Sequence, residues 1–328
     1  MDAPTGARCP HDGGACHHTC EGHCFREAGE MNLTEPWEGY PLPGHVHPAH
    51  EHHVPMLDHG SLELVKVAGD EKFIEQCARV SYAGHGTDRT DEETTKLLRH
   101  LLRSRHTSPF EMAVLWFRIK APIFVARQWV RHRMASWNEI SGRYAPLPNE
   151  FFMPDVWRAQ SKANKQGSDG TVEHFPLEVR AAAEGHAEPV VFSVESFAMQ
   201  EYQARMGSGV ANEIARTCVP VSTYTEWYWK IDLHNLMHFL TLRMDPHAQP
   251  EIVCYAEQIG EWVKEHFPIT WQAFVDYRLN AITFTGPELE AIFPMFENVQ
   301  MNRAGLDALT EREKKELTTK LERAGAKF

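Results

Sequence analysis

A short basic segment holds the side chains of this sequence that are best suited to chemistry. It runs from Arg127 through Gln128 to Arg131-His-Arg133 and continues into Ser136-Trp-Asn-Glu-Ile-Ser-Gly-Arg-Tyr144. Planar guanidinium groups suit bidentate binding of phosphate, and Gly142 lets backbone N–H groups approach an anion closely. Gln128 and Glu139 add the donor and acceptor groups that the polar edge of a nucleobase requires. The set therefore predicts a nucleotide site rather than a site for an isolated phosphate.

The charge balance of the chain makes this segment an exception. The formal net charge of the 328 residues is −12, which argues against a bulk nucleic-acid or acidic-membrane binder. From Arg118 to Arg143, however, there are six Lys or Arg residues and one acid, Glu139. A solvated basic helix face and a nucleic-acid-binding helix are the alternatives to an anionic ligand site. The net charge and the position of Glu139 weigh against the nucleic-acid alternative.

A strand and a helix must position the basic segment. Apolar and polar residues alternate from Ala113 to Lys120, a pattern that predicts a strand with one apolar face. Pro122 suits the first turn of a helix that is expected to run from Ile123 to about Arg133, with Arg127 and Arg131 one turn apart. Gly142 and the prolines that follow it predict a loop.

The remaining pattern predicts a helix-rich α+β fold with one core domain between two extensions. Asp232 is placed to cap a helix that runs to Arg243, and Thr310 with Glu313 forms a capping-box pattern. Further elements are expected as strands at 62–67 and 223–230, helices at 71–82, 91–105, 195–206 and 210–218, and an amphipathic helix from Pro250. Surface loops are expected at 142–148 and 167–170. The aromatics Trp227, Tyr228 and Trp229 are interpreted as structural.

The two ends of the chain differ in composition from its centre. Residues 1–57 are rich in Gly, Pro and His and lack apolar periodicity, so we expect a poorly ordered extension, followed by a domain at 58–285 and a helical extension at 286–328. The N-terminal cysteines and histidines suggest zinc, but their spacing lacks paired CxxC knuckles, so no metal site is predicted. These residues are Cys9, Cys16, Cys20, Cys24, His11, His17, His18 and His23.

The sequence lacks the marks of membrane insertion and export. No run of about 18 apolar residues occurs, and the N-terminus has no apolar signal region. Cys77, Cys218 and Cys254 lie among apolar neighbours and are interpreted as reduced core thiols. We therefore expect a cytoplasmic protein without a membrane span.

The basic segment resembles the signature of a known enzyme family. Arg131-His-Arg133, Ser136, Asn138-Glu139, Ser141 and Arg143-Tyr144 match the pattern RHRxxSxNExSxRY of flavin-dependent thymidylate synthases. The similarity extends over roughly Ser61 to Ile282, through Ala78-Arg-Val-Ser81, His106-Thr-Ser-Pro-Phe-Glu111 and Leu242-Arg-Met-Asp-Pro-His-Ala-Gln249. The resemblance implies a single catalytic domain with an antiparallel sheet.

The resemblance also implies an activity. Members reductively methylate dUMP to dTMP with 5,10-methylenetetrahydrofolate, FAD and NADPH, in an active site shared among the subunits of a homotetramer. The residues implied to bind dUMP are Gln128, Arg131, Glu139, Ser141, Gly142, Arg143, Arg216 and Arg243, with Arg216 reaching dUMP from a neighbouring subunit. Those implied to bind FAD are Ser81, His106, Ser108, Glu111, Arg131, His132, Arg133, Asp232, His234 and His238.

Arg243 is implied to be the catalytic residue, because it polarises the uracil imide. The alternative is a cysteine that adds to carbon 6 of the base, for which Cys218 is the candidate, although a packed core thiol is the favoured interpretation of Cys218. Ser141 is expected to hydrogen-bond substrate rather than to act as a nucleophile. The hypothesis is thus electrostatic activation of the pyrimidine.

One part of the sequence departs from the family pattern. Many members have Asn-Ala-Arg where this chain has Asp232-Leu-His234. Asp232 replaces an amide with a group that only accepts hydrogen bonds. His234 replaces an arginine, which is expected to weaken a phosphate clamp and to make it sensitive to pH.

A homologue acting on a different pyrimidine nucleotide is the remaining alternative function.

Overall fold

The computed structural model describes residues 52–82, 89–162, 167–174, 178–181, 190–292, 306–307 and 309–323. Within them the chain forms one five-stranded sheet and two small hairpins, all antiparallel. The strands are β1 (His53–Met56), β2 (Gly60–Ala68), β3 (Val114–Pro122), β4 (Ala135–Glu139), β5 (Arg158–Gln160), β6 (Ser168–Thr171), β7 (Glu178–Ala181), β8 (Val190–Ser193) and β9 (Tyr224–Asp232). The predicted α+β fold with an antiparallel sheet is confirmed.

The main sheet has the strand order β1-β2-β3-β9-β4. Because β4 runs antiparallel to β9, Ala135 at its start lies opposite Ile231, and Glu139 at its end lies opposite Trp227. The residues just before β4 are therefore brought to the place where β9 ends and the next helix begins. The residues just after β4 are brought to the place where β9 starts.

Helices surround this sheet. They are α1 (Glu71–Arg79), α2 (Asp91–Arg103), α3 (Ile123–Trp129), α4 (Val194–Gly207), α5 (Asn212–Ala215), α6 (Leu233–Arg243), α7 (Pro250–His266), α8 (Pro268–Phe274), α9 (Gly286–Ile292) and α10 (Glu311–Arg323). Short 3-10 turns lie at Val80–Tyr82, Ser108–Met112 and Arg216–Cys218, and a π-helical turn at Val275–Leu279 follows α8. No helix of the described residues is long and apolar enough to cross a bilayer.

Two of these helices begin where the sequence pattern places them. Asp232 caps α6, since its Oδ1 accepts a hydrogen bond of 2.9 Å from the backbone N–H of Asn235. Thr310 and Glu313 form the predicted capping box of α10: the backbone N–H of Thr310 donates to Glu313 Oε2 at 3.0 Å, and the backbone N–H of Glu313 donates to Thr310 Oγ1 at 3.3 Å. Local chemistry fixes the starts of both helices.

An aromatic cluster forms the core under α3 and α6. Trp129 of α3 packs against Phe239 of α6, with ring centroids 4.8 Å apart, and meets Trp227 and Trp229 of β9 edge-on. Trp129, Trp227 and Trp229 are buried, which confirms the structural interpretation of the two β9 tryptophans, whereas Tyr228 is 44% exposed. Burying each large apolar side chain contributes roughly 1.5–3 kcal/mol. This core holds in place α3, which carries Arg127, and α6, which carries Arg243.

The helix that starts at Ile123 is shorter than predicted. It ends at Trp129 rather than near Arg133, so Arg131 does not lie one helical turn above Arg127. The chain turns here, with the backbone N–H of His132 donating to the carbonyl of Trp129 at 3.0 Å, and then enters β4. Pairing of β4 with β9 is a long-range contact that overrides the local helical pattern.

Other differences involve short strands. Residues 167–170 were predicted as a loop, but β6 (Ser168–Thr171) pairs with β5, and the hairpin of β7 and β8 was not predicted. Strand β1 lies in the segment assigned to the N-terminal extension and pairs with β2, from His53 opposite Glu63 to Met56 opposite Gly60. The division of the chain into a domain and two extensions stays a prediction. The N-terminal Cys and His cluster at 9–24 lies outside the described residues.

Candidate active site

The turn between α3 and β4 presents the three residues that open the signature. Arg131 and Arg133 are exposed, and His132 between them is half-buried against the ring of Phe239, with centroids 4.9 Å apart. Because the chain has left the helix at Trp129, the two arginines belong to an irregular turn next to α6. The antiparallel pairing of β4 with the end of β9 is what brings this turn to α6.

Arg243 at the last turn of α6 reaches this turn. Its Nε donates a hydrogen bond of 3.0 Å to Nε2 of His132. Burial lowers the pKa of His132 to about 4, and the positive charges of Arg243 and His238 act in the same direction. His132 is therefore neutral at neutral pH and acts as an acceptor, which holds the Arg243 side chain in place.

These residues line one cavity of about 440 Å³, which we call the arginine cavity. Its lining is Arg131, His132, Arg133, Met134, Ile231, Asn235, His238, Leu242 and Arg243. Burial lowers the pKa of Arg243. No carboxylate of the described residues offsets this effect. Three arginines in one concave site, none of them paired with a carboxylate of the described residues, favour an anionic ligand.

The other end of β4 lines a second cavity of about 300 Å³, which we call the glutamate cavity. Its polar residues are Arg127, Glu139, Arg216 and Thr225, and Gly142 and Leu147 are among the others. Glu139 is fixed in place, because Thr225 Oγ1 donates to its Oε1 at 2.7 Å and Trp137 Nε1 donates to its Oε2 at 3.0 Å. Arg216 lines this cavity in the same chain as Glu139, so a neighbouring subunit is not needed to bring the two together.

The turn after β4 places the remaining signature residues beside the glutamate cavity. Gly142 is buried, and a Cβ at this position would lie 3.1 Å from Leu147 Cγ. Ser141 Oγ accepts a hydrogen bond of 3.3 Å from the backbone N–H of Arg143. The exposed Arg143 side chain lies 3.6 Å from a carboxylate oxygen of Glu213. Exposed pairs of this kind contribute little to stability, so Arg143 can exchange Glu213 for a ligand.

Gln128 belongs to neither cavity. Its side-chain amide donates to the side-chain oxygen of Gln249, at the start of α7. This hydrogen bond ties α3 to α7 and orients the amide. The described chain thus divides the residues implied to bind dUMP into those of the arginine cavity (Arg131 and Arg243), those in or beside the glutamate cavity (Glu139, Ser141, Gly142, Arg143 and Arg216), and Gln128.

The residues implied to bind FAD are also distributed. His132, Arg133 and Arg131 lie in the arginine cavity together with His238, whereas His234 lines a third cavity that also contains His238. His106, Ser108, Glu111 and Ser81 are exposed on 3-10 turns and on the segment between α2 and β3. Both carboxylate oxygens of Asp232 accept from Asn235, at 2.9 and 2.8 Å, so a flavin contact there would have to share them.

The three described cysteines are free, half-buried thiols. Cys218 Sγ donates to the backbone carbonyl oxygens of Ala215 and Ala198, at 3.4 and 3.6 Å, and packs against the small cluster of Met199, Tyr202 and Ala215. Burial raises the pKa of Cys254 to about 12, far from the lowered pKa that a nucleophilic thiol needs. These contacts support the interpretation of both as packed thiols.

Sequence reasoning missed several residues that line or support these cavities. Thr225 and Gln249 hold Glu139 and Gln128 from distant parts of the chain, and Asn235 lines the arginine cavity beside His238. Only Gln249 carried a signal, because it lies in the Leu242–Gln249 stretch. Thr225 is brought in by β9, and Asn235 lies on the predicted helix α6, three residues before His238.

At the two ends of its edge strand this antiparallel α+β fold carries two concave sites, one lined by three arginines and one by mixed polar residues, which defines a class of protein that binds small anionic molecules. Comparison with known proteins specifies the class. The family model described as thymidylate synthase complementing protein matches residues 63–269, and the chain belongs to that family. The prediction of a flavin-dependent thymidylate synthase, a methyltransferase, is confirmed.

The relatives are similar over most of their length. A flavin-dependent thymidylate synthase of Thermus thermophilus is 49% identical over 239 residues, 73% of this chain and 84% of the relative. That of Gluconobacter oxydans is 45% identical over 279 residues, 82% and 87% of the two chains. Among solved structures, a UMP/dUMP methylase PolB from Streptomyces cacaoi, bound with 5-Br dUMP, is 32% identical with a TM-score of 0.56, covering 69% of this chain and 99% of that chain.

Proposed function

We propose that this chain reductively methylates dUMP to dTMP, taking the carbon from 5,10-methylenetetrahydrofolate and the electrons from NADPH by way of FAD. The observation that carries the proposal is the hydrogen bond between Arg243 and the neutral His132 inside the arginine cavity. It fixes a permanently charged group at the end of a concave site that contains two further arginines. A cytoplasmic location and the absence of nucleic-acid partners stay part of the proposal.

The donor set of the arginine cavity fits a flavin nucleotide. Arg131 and Arg133 offer donors for phosphate oxygens, Asn235 offers both a donor and an acceptor, and Ile231 and Leu242 offer apolar surface for a planar ring. When bound there, reduced FAD would supply the hydride. His132 and His238, whose rings lie 6.1 Å apart, would be among the residues that hold it.

The glutamate cavity and its rim fit the nucleotide substrate. Arg216 and Arg143 carry the positive charge that a monophosphate requires, and the oriented carboxylate of Glu139 accepts hydrogen bonds. Gly142 keeps the turn close to Leu147, because a Cβ at this position would lie 3.1 Å from Leu147 Cγ. We assign dUMP binding to these residues together with Gln128, Ser141, Arg131 and Arg243.

Arg243 would activate the base by charge. Methylation at carbon 5 requires an electron-rich ring, and a guanidinium next to the uracil imide stabilises the negative charge that develops there. A cationic group held in a partly buried site is worth more than one in water, because the local dielectric is lower. No described cysteine lines the arginine or the glutamate cavity, in keeping with activation without a thiol nucleophile.

The separation of the two cavities supports a shared active site. They lie at opposite ends of β4, whose five residues span about 13 Å. One dUMP molecule that contacts both Arg243 and Glu139 is therefore more readily accommodated if the two residues come from different copies of the chain. We accordingly propose a homotetramer in which subunits jointly complete each site.

The direct test is spectroscopic. The purified chain should show an FAD spectrum that is bleached by NADPH under anaerobic conditions and is perturbed by dUMP, and it should form dTMP when methylenetetrahydrofolate is added. A colourless protein that cannot take up flavin would overturn the proposal. Analytical ultracentrifugation of the same preparation tests the homotetramer.

A second substrate is favoured by one specific observation. The structural relative from Streptomyces cacaoi is described as a UMP/dUMP methylase, so the ribonucleotide is a candidate for this chain as well. Comparing dUMP, UMP and dCMP in NADPH-dependent methylation assays separates the candidates. The thymidylate synthase proposal predicts the highest kcat/KM for dUMP.

A further inference from the structure

A third cavity, which we call the α2–α6 cavity, has the chemistry of an anion site, and its lining adds arginines to His234 and His238, which the resemblance implies to bind FAD. Its volume is about 330 Å³. Its lining is Leu102, Arg105, Thr107, His234, Met237, His238, Thr241, Phe274 and Arg278. Four of these nine side chains are basic, and among the described residues no carboxylate lines the cavity. Such a site is complementary to a negatively charged ligand.

Arginines nearby behave differently, because they have carboxylate partners. Arg99 lies 2.7 Å from Asp276, and Arg103 lies 2.8 Å from Glu316. Burial opposes their charge, but these partners raise their pKa above the ordinary value. Within the described chain, carboxylates thus neutralise the arginines that tie α2 to the C-terminal part of the protein.

Arg278 has no such partner among the described residues. Its Nη2 donates to the backbone carbonyl of Leu102 at 3.2 Å, and its pKa is lowered by burial and then by the positive charge of Arg105. Arg278 is partly buried and Arg105 is exposed, and an anion between the two guanidiniums would relieve their repulsion.

The backbone at Arg105 is also unusual. The backbone of Arg105 has a φ of +60°, a left-handed conformation that residues other than Gly, Asn and Asp rarely adopt. The strain persists because the chain turns sharply after α2, where the backbone N–H of Arg105 donates to the carbonyl of Leu102 at 3.3 Å. Strained residues of this kind cluster at ligand sites, and here the conformation places a guanidinium on the cavity.

The α2–α6 cavity adjoins the arginine cavity. His238 lines both, so the two cavities meet at this side chain on α6. The α2–α6 cavity thus presents two guanidiniums, those of Arg105 and Arg278, and two imidazoles, those of His234 and His238. A ligand that places a ring in the arginine cavity and an anionic group in the α2–α6 cavity must hold these two parts away from each other.

We propose that Arg105 and Arg278 bind the diphosphate of FAD, whose flavin ring lies in the arginine cavity. This inference rests on the proposed function, because it takes the flavin to be the dinucleotide. The diphosphate would bridge the two guanidiniums and remove their mutual repulsion. The two arginines would therefore determine the affinity for FAD. They would not affect the affinity for riboflavin, because riboflavin lacks phosphate.

The test compares FAD with riboflavin on flavin-depleted, full-length protein. Arg105→Asn removes the cation and keeps a residue that tolerates the left-handed backbone, so its fold is preserved. Arg278→Gln removes the second cation. Arg205→Gln is the matched control, since Arg205 pairs with Glu201 on α4 at 2.7 Å and lies on none of the three cavities. Flavin fluorescence quenching gives the dissociation constants.

We expect each cavity variant to raise the Kd for FAD about tenfold or more, which is about 1.4 kcal/mol, and to change the Kd for riboflavin less than about twofold. Higher salt should weaken FAD binding by the wild-type chain more than by the variants. Unchanged FAD binding in both variants would overturn the inference. So would equal weakening of riboflavin, or an effect confined to the KM for NADPH.

The failure of this inference is distinguishable from failure of the proposed function. If the wild-type chain binds FAD and forms dTMP while both variants bind FAD normally, only the assignment of Arg105 and Arg278 fails. If the wild-type chain binds neither FAD nor riboflavin, both the proposed function and the assignment of Arg105 and Arg278 fail.

Discussion

Arg243 donates a 3.0 Å hydrogen bond from its Nε to Nε2 of His132, a residue 111 positions earlier in the chain. One partner ends α6 and the other lies in the turn before β4. Because Nε2 accepts this bond and must be unprotonated, the neutral imidazole of His132 carries its proton on Nδ1. Burial and the neighbouring charges of Arg243 and His238 supply that condition, since they lower the pKa of His132 to about 4.

The first prediction concerns pH. The pKa of His132 is lowered from 6.5 to about 4 in the folded chain, so the unfolded chain binds more protons between these values. The contribution of His132 to stability is therefore complete above pH 6.5 and is lost as the pH falls toward 4. Urea midpoints measured across this range should fall as the pH is lowered in the wild-type chain, and the fall should be smaller in His132→Asn, which cannot titrate. Parallel pH profiles of the two proteins would contradict the assignment.

The second prediction concerns Glu139. Its carboxylate is oriented by Thr225 and Trp137, at 2.7 and 3.0 Å. Glu139→Gln should raise the KM for dUMP about tenfold, because a charge-assisted hydrogen bond contributes roughly 1.5–3 kcal/mol. Thr225→Val, which removes only the orienting hydroxyl, should have a smaller effect in the same direction. Steady-state kinetics check both variants, and a change in KM for NADPH instead of dUMP would argue against the role.

The third prediction concerns the close approach at Gly142. A Cβ there would lie 3.1 Å from Leu147 Cγ, so Gly142→Ala must displace the turn or the Leu147 side chain. We expect a several-fold rise in the KM for dUMP. The double variant Gly142→Ala, Leu147→Ala provides the control, since it makes room for the methyl group. Recovery of dUMP affinity in the double variant supports a steric cause, and its absence would contradict it.

The sequence carried local features of the fold well. The alternation from Ala113 to Lys120 predicted β3, Asp232 predicted the start of α6, and the capping box predicted α10. Each of these features depends on residues only a few positions apart. The end of α3 was misjudged because the pairing of β4 with β9 joins distant residues, such as Ala135 and Ile231, and no local periodicity reports it.

The candidate site was predicted in part. The signature identified the residues of the turn and of β4, and the resemblance added Arg243, which the structure places beside His132. The cavities were not predictable from local sequence, because the antiparallel register of β4 and β9 decides which residues meet at each end. Arg105 and Arg278 carried no signal in the sequence pattern, since their charge becomes significant only where α2, α6 and α8 pack together.

The account depends most on charge activation by Arg243. Arg243→Ala should lower kcat for dTMP formation by roughly two to three orders of magnitude, as removal of an electrostatic donor does, while FAD stays bound and NADPH still reduces it. Arg243→Lys, which keeps the charge without the bond to His132, should recover part of the rate. The decisive measurement is tritium release from carbon 5 of labelled dUMP by Arg243→Ala. Loss of release with retained flavin reduction is the predicted result, and release at the wild-type rate, or a cysteine–pyrimidine adduct trapped during turnover, would contradict the account.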